Sequence, residues 1–251
     1  MRRTAVLSAV LCLGLLGSNA MAEGLGAMTP EERAAFGAEV KAYLLENPEV
    51  LVEAMGILQA REYDAETARD AEIIVANSDA LFASPGDWVG GNPEGDITLV
   101  EFMDYRCSYC RKAHDEVQAL VEGDGNIRYI IKEFPILGPE SLVPSQFAIA
   151  VRMLHGDDAY KAAHDALMKL RGEPTIETLE RLAADLGHDP QPLMAKMQTE
   201  EVKAIITANH ELADVMAISG TPAFVLKNTL LRGYVPLEGM QAIVAEERSA
   251  G

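Results

Sequence analysis

The hydrophobic period changes several times along this chain, and each change marks an element. An apolar run from Ala5 to Leu16 comes first, preceded by Arg2 and Arg3 and followed by Ala20-Met21-Ala22. Thr29-Pro30-Glu31-Glu32 then supplies an N-cap, a proline suited to a first helical turn and a capping-box acid. Phe36, Val40, Tyr43 and Leu44 follow at helical spacing until Asn47-Pro48 breaks and restarts the helix. Val50, Leu51, Ala54, Met55, Ile57 and Leu58 give the second helix a broad apolar face that needs a partner. From Arg61 to Glu72 charges dominate, which predicts a solvated helix.

Asn77 to Asp96 is rich in turn residues and reads as a connection with Trp88 as an apolar anchor. Ile97 to Phe102 is β-branched and apolar enough for a central strand, and Ile127 to Ile131 is a second. Between them a helix carries Ala113, Val117, Leu120 and Val121 on one face and ends at Gly123-Asp124-Gly125. This makes a β-α-β unit. Helical periodicity then fills 139–217, punctuated by Gly156, Gly172 and Gly187. An apolar strand after Thr221-Pro222, a turn at Asn228, Leu230-Leu231-Arg232 and a helix from Leu237 to Glu247 close the chain. The fold class expected is α/β, with a helical insertion and an N-terminal helical segment.

Composition adds limits. In 251 residues, 49% are apolar and 24% charged, enough for one good core and a smaller appendage. A formal net charge of −18 opposes nucleic-acid binding, because phosphates would be repelled. Residues 1–22 have the three parts of a secretory signal, and the apolar run is shorter than the roughly 18 to 20 residues of a membrane span. The expected organisation is a signal at 1–22, an N-terminal helical region at 23–80 and a main α/β domain at 81–251 with its insertion at about 139–217. No membrane span remains after cleavage, and the location expected is outside the cytosol, which the family resemblance given below makes the periplasm.

Chemistry concentrates at Cys107-Ser108-Tyr109-Cys110, at the carboxyl end of the first strand. Three-residue spacing at a helix start puts both sulfurs on one face, where they can close a small disulfide. Unpaired N–H groups and the helix dipole would favour a thiolate at Cys107, the attacking nucleophile, with Cys110 deeper as the resolving thiol. Zinc is disfavoured by ligand count, since the remaining cysteine, Cys12, lies in the leader and His114 alone could share the face. No metal or cofactor is expected. In an exported chain such a pair points to thiol–disulfide exchange rather than to a structural bridge.

Glu101 has two readings: a strand residue facing solvent, or a desolvated acid whose raised pKa suits it to exchange a proton with Cys110. Pro222 can either start a strand in trans or form a cis turn facing the site. Lys132 reads as a solvated strand end, with a weaker option of facing Glu101. His155, His164, His188 and His210 lack ligand spacing and are expected at the surface.

These residues together resemble the thioredoxin fold of the DsbA family, especially its Com1-like and ScsC-like branch. The resemblance rests on the strand–Cys-x-x-Cys–helix, Glu101 six positions before Cys107, the insertion, and Gly220-Thr221-Pro222-Ala223 before a hairpin and final helix. Tyr43 to Glu49 and Lys132 to Ser141 are also similar, and coverage runs from about Met28 to the C-terminus. It implies that Cys107 is the nucleophile and Cys110 the resolving thiol. Glu101 is the buried acid, and Thr221 and Pro222 form a cis-proline loop that binds client backbone. Ser108 and Tyr109 border the client. The N-terminal helices would mediate homo-oligomerisation, and the partners would be client proteins with cysteines or disulfides and a redox partner protein.

Tyr109 departs from the histidine common before the second cysteine in DsbA oxidases, although Arg106 and Arg111 could compensate. With Ser108 and Thr221, it looks more like a DsbC-type isomerase. Disulfide isomerase or reductase is the reading favoured. A dithiol oxidase, a periplasmic copper-binding protein using its two soft thiolates, and a surface structural protein are the alternatives.

Overall fold

The computed structural model describes residues 28–249. The signal expected at 1–22 lies outside them. Among the described residues, no helix is long and apolar enough to cross a membrane.

The chain divides into two compact units between Ala60 and Arg61. In the first, α1 (Pro30–Glu46) starts with the expected capping box: Thr29 Oγ1 accepts from Glu32 N, and Glu32 returns the bond to Thr29 N at 2.8 Å. Helix α2 (Glu49–Ala76) follows. No residue of α1 is buried, and Phe36, Val40, Tyr43, Leu51, Met55 and Leu58 are all exposed.

The second unit is built on a five-stranded sheet in the order β1-β3-β2-β4-β5. Strand β2 (Ile97–Met103) runs parallel to β3 (Ile127–Glu133) and antiparallel to β4 (Ala223–Leu226), which pairs with β5 (Thr229–Arg232). Its continuous apolar run is explained by cover on both faces. On one face, β2 packs with α4 (Ser108–Asp124) and the final helix α10 (Leu237–Ser249). Helix α4 ends at Gly125, whose φ of 71° is the left-handed cap that glycine takes without strain.

The insertion consists of α5 (Pro139–His155), α6 (Asp157–Lys169), α7 (Ile176–Asp185), α8 (Pro190–Met197) and α9 (Glu200–Val215). Parallel β-α-β, an antiparallel hairpin and a closing helix make this a thioredoxin fold with a helical insertion.

Four expectations need correction. The stretch 77–96 is no mere connection: it holds α3 (Ser78–Phe82) and β1 (Trp88–Gly91), an edge strand antiparallel to β3. Its two glycines hid the strand pattern. A Cβ at Gly90 would lie 2.0 Å from the Trp88 ring, so glycine makes room for the indole rather than for a turn. The charged part of α2 is not wholly solvated, because Asp70 is buried and receives two bonds from Arg232, at 2.7 and 2.9 Å.

Lys132 is buried, not solvated, and its ammonium is bonded to Asp87 and to Ala80 O. Its register partner is Phe102, one position from Glu101, so strand alternation sends it to the opposite face. His164 is also buried, because it stands one turn after the buried Tyr160 on the inner face of α6.

Candidate active site

The reactive helix begins where β2 ends, and the turn between them is held by one side chain. Asp104 is fully buried; its Oδ1 accepts from Arg106 N (2.8 Å), and its Oδ2 accepts from Ile136 N (2.8 Å) and Leu137 N (3.0 Å). Cys107 N donates to Asp104 O at 3.0 Å. Three backbone donors on one carboxylate fix the approach to the cysteines. Arg111 braces the same turn, donating from Nε to Tyr105 O and from Nη1 to Leu170 O, each at 2.6 Å.

Both cysteines are free thiols. Cys107 is the N-cap of α4, one position earlier than a first-turn residue, and its Sγ accepts from Cys110 N at 3.4 Å. Its pKa is lowered from 9.0 to about 5, foremost by the hydrogen bond from the Cys110 side chain. Burial opposes this, while bonds from Thr221 and from the backbone of Cys110 and Tyr109 add to it. Cys110 has no exposed surface, and burial first, then its bond to Cys107 and the charge of Glu101, hold it far above the usual thiol range. One sulfur is poised as a thiolate; its neighbour keeps its proton.

Glu101 faces this pair rather than solvent. Its side chain is buried in β2, Oε2 accepts from Tyr129 OH, and Oε1 has no hydrogen-bond partner among the described residues. Burial raises its pKa from 4.5 to about 7 against the Tyr129 bond, and the charge on Cys107 adds to the rise. A buried carboxyl with a free oxygen and a pKa near neutrality can take and return a proton.

The Thr221–Pro222 peptide bond is cis. When protonated, Cys107 donates to Thr221 O, 3.1 Å from its sulfur, a bond that ionisation gives up, and Pro222 O accepts from Gly233 N at 3.0 Å. Ile218 to Thr221, Ala223, Arg232 and Gly233 line a cleft beside this loop. Ser108 and Tyr109 are exposed at the helix start. The Tyr109 ring lies 6.1 Å from that of Tyr234, and Lys112 Nζ sits 4.1 Å from the latter's centroid. Tyr234 OH is fixed by Glu116 at 2.7 Å.

Sequence reasoning missed Asp104, Tyr129 and Tyr234. Asp104 had a legible signal, a carboxylate immediately after a core strand. Tyr129 could have been found by placing Ile127–Ile131 in parallel register with β2.

The "Thioredoxin" family model matches residues 83–246, and the "Copper resistance protein ScsC N-terminal domain" model matches residues 32–65. The chain belongs to the thioredoxin family. Within it, the chain is a DsbA-family, ScsC-like protein, as its solved neighbours indicate.

A thioredoxin-like oxidoreductase from Silicibacter pomeroyi is 40% identical, covering 70% of this chain and 99% of its own, with a TM-score of 0.66. ScsC of Proteus mirabilis in a transitional conformation is 27% identical over 89% of this chain and all of its own (100%), with a TM-score of 0.66. BcfH of Salmonella enterica Typhimurium is 27% identical over 86% and 95%, with a TM-score of 0.70. Among curated proteins, the Na(+)/H(+) antiporter NhaA 1 of Salinispora arenicola is 29% identical over 161 residues. The chain spans only 24% of that antiporter's length.

Proposed function

We propose that this thioredoxin-family chain is an exported thiol–disulfide oxidoreductase acting on client proteins in the periplasm, primarily as an isomerase or reductase. The observation that carries the reading is the division of labour between the sulfurs: a stabilised thiolate at Cys107 beside Thr221, and a protonated, fully buried Cys110 coupled to Glu101.

The Cys107 thiolate attacks a client disulfide, forming a mixed disulfide and releasing one client thiolate. In isomerisation, another client thiolate attacks the client sulfur and regenerates Cys107. In reduction, Glu101 takes the Cys110 proton, and Cys110 attacks Cys107 sulfur and expels the second client thiolate. The enzyme is thereby oxidised as the client is reduced, and a separate redox partner protein restores the dithiol. Thr221 and Pro222 hold client backbone beside the sulfurs, with Ser108 and Tyr109 at the rim.

The exposed apolar residues of α1 and α2, together with the ScsC-type match over 32–65, support homo-oligomerisation through these helices. Several active sites around one client favour reshuffling. Leu51→Lys with Leu58→Lys is expected to lower the mass measured by light scattering; an unchanged mass removes the oligomer from the reading.

A second reading is a dithiol oxidase. The Cys107 pKa of about 5 favours it, since a stabilised thiolate makes the disulfide more oxidising. Refolding of scrambled ribonuclease by the reduced chain decides between them. Recovery above a glutathione control supports isomerisation. No recovery, with a potential near about −120 mV, supports the oxidase.

A further inference from the structure

One turn beyond Cys110, α4 and α6 bring together His114, His164 and Asp165, with one ligand-type atom from each within 4.8 Å of the others. Both histidines are buried, at 5% and 1% exposure, and Asp165 reaches the surface. We propose that these three residues form a binding site for a divalent cation of the zinc class, separate from the redox pair.

His114 Nε2 lies 3.2 Å from Asp165 Oδ1, yet among the described residues it has no hydrogen-bond partner. The two atoms are close but not aligned as donor and acceptor. Two ligands bound tetrahedrally at about 2.0 to 2.1 Å from zinc stand about 3.3 Å apart, with both aimed at the metal. The imidazoles of His114 and His164 have centroids 5.1 Å apart at 61°. Two rings sharing one tetrahedral zinc would place their centroids about 5 Å apart by the same geometry.

The support behind His164 also suits a ligand. Tyr105 OH donates to Glu133 Oε1 at 2.9 Å, so its oxygen is left to accept from His164 Nδ1–H, 3.0 Å away. That places the proton on Nδ1 and the lone pair on Nε2, the arrangement by which a metal-binding histidine is usually oriented. Two imidazoles and one carboxylate suit zinc, with a fourth position left for water.

In this structure Asp165 is already engaged. Lys161 Nζ donates to Oδ1 (2.7 Å) and Oδ2 (2.6 Å), and Gln118 Nε2 donates to Oδ1 (2.8 Å). The Lys161 ammonium is where a competing charge would be needed, and its side chain is 33% exposed, so it can turn to solvent when a cation enters. Lysine and metal then compete for one carboxylate.

The test titrates Zn²⁺ against a chromophoric chelator, using the full chain with all three cysteines replaced by serine so that no thiolate contributes. Binding of one ion per chain is expected, and Co²⁺ should give the visible bands of a tetrahedral site. His164→Gln should weaken binding more than tenfold. Asp165→Asn, at a half-exposed position that is less exposed to folding failure, should do the same and abolish the zinc-dependent rise in Tm. Lys161→Met should tighten binding several-fold, an effect that loss of structure would not produce. Absence of binding to the cysteine-free chain, binding indifferent to Asp165→Asn, or weaker binding in Lys161→Met would each overturn the proposal.

Discussion

Replacing Glu101 with glutamine removes one ionisable group from the core while keeping its shape. Burial raises the Glu101 pKa from 4.5 to about 7. At about 1.4 kcal/mol per pH unit, its charge costs the folded, reduced chain roughly 3 kcal/mol. Below pH 4.5 the carboxyl is protonated both folded and unfolded, and there is no cost. Between 4.5 and about 7 the unfolded chain ionises first, so wild-type stability falls as pH rises. Above about 7 both states are ionised and the loss is complete. Glu101→Gln cannot ionise, so its advantage over wild type should grow across this window and then level off at roughly 3 kcal/mol.

Urea unfolding of both reduced proteins across the pH range measures this difference, and any pH-independent effect of the altered bond to Tyr129 drops out. The same substitution should slow Cys110 attack on a preformed mixed disulfide by about 100-fold, the lower end of typical general acid–base contributions. Parallel stability curves, or an unchanged rate of resolution, would refute the reasoning that places a titrating proton carrier at Glu101.

Alkylation of the reduced chain by iodoacetamide should follow a midpoint near pH 5 and label Cys107 alone; a midpoint near 9, or labelling of Cys110 in the folded chain, contradicts the thiolate assignment. Lys132→Met should cost about 3 to 5 kcal/mol in urea unfolding, because it strands the buried Asp87. Lys132→Met combined with Asp87→Leu should regain most of that loss, and a double variant as unstable as the single one would show that the cost is packing and not charge.

Periodicity made the central sheet, the reactive helix and the helices of the insertion legible, because the central strands are apolar on both covered faces and the helices each bury one apolar face. It failed where burial is carried by polar or missing side chains. Strand β1 contributes Trp88, Val89 and two glycines, too short a run to alternate. Lys132 looked solvated because a buried lysine is inferred only from its partner, and Asp87 is 45 residues away. His164 looked superficial for the same reason, since Tyr105, its hydrogen-bond partner 59 residues away, meets it only in the folded chain. The Cys-x-x-Cys and its helix were readable from local spacing. The pairing of Glu101 with Tyr129, and of Asp104 with the loop at 136–137, depended on register between distant segments.

The central claim is that Cys107 attacks clients and Cys110 releases them. Cys110→Ala should therefore trap a client. Incubating that reduced variant with scrambled ribonuclease and analysing the products by non-reducing gel and peptide mass spectrometry tests it directly. A covalent adduct joined through Cys107, released by dithiothreitol and absent when Cys107 is replaced instead, is the predicted result. No adduct, or one that persists without Cys107, would contradict the account.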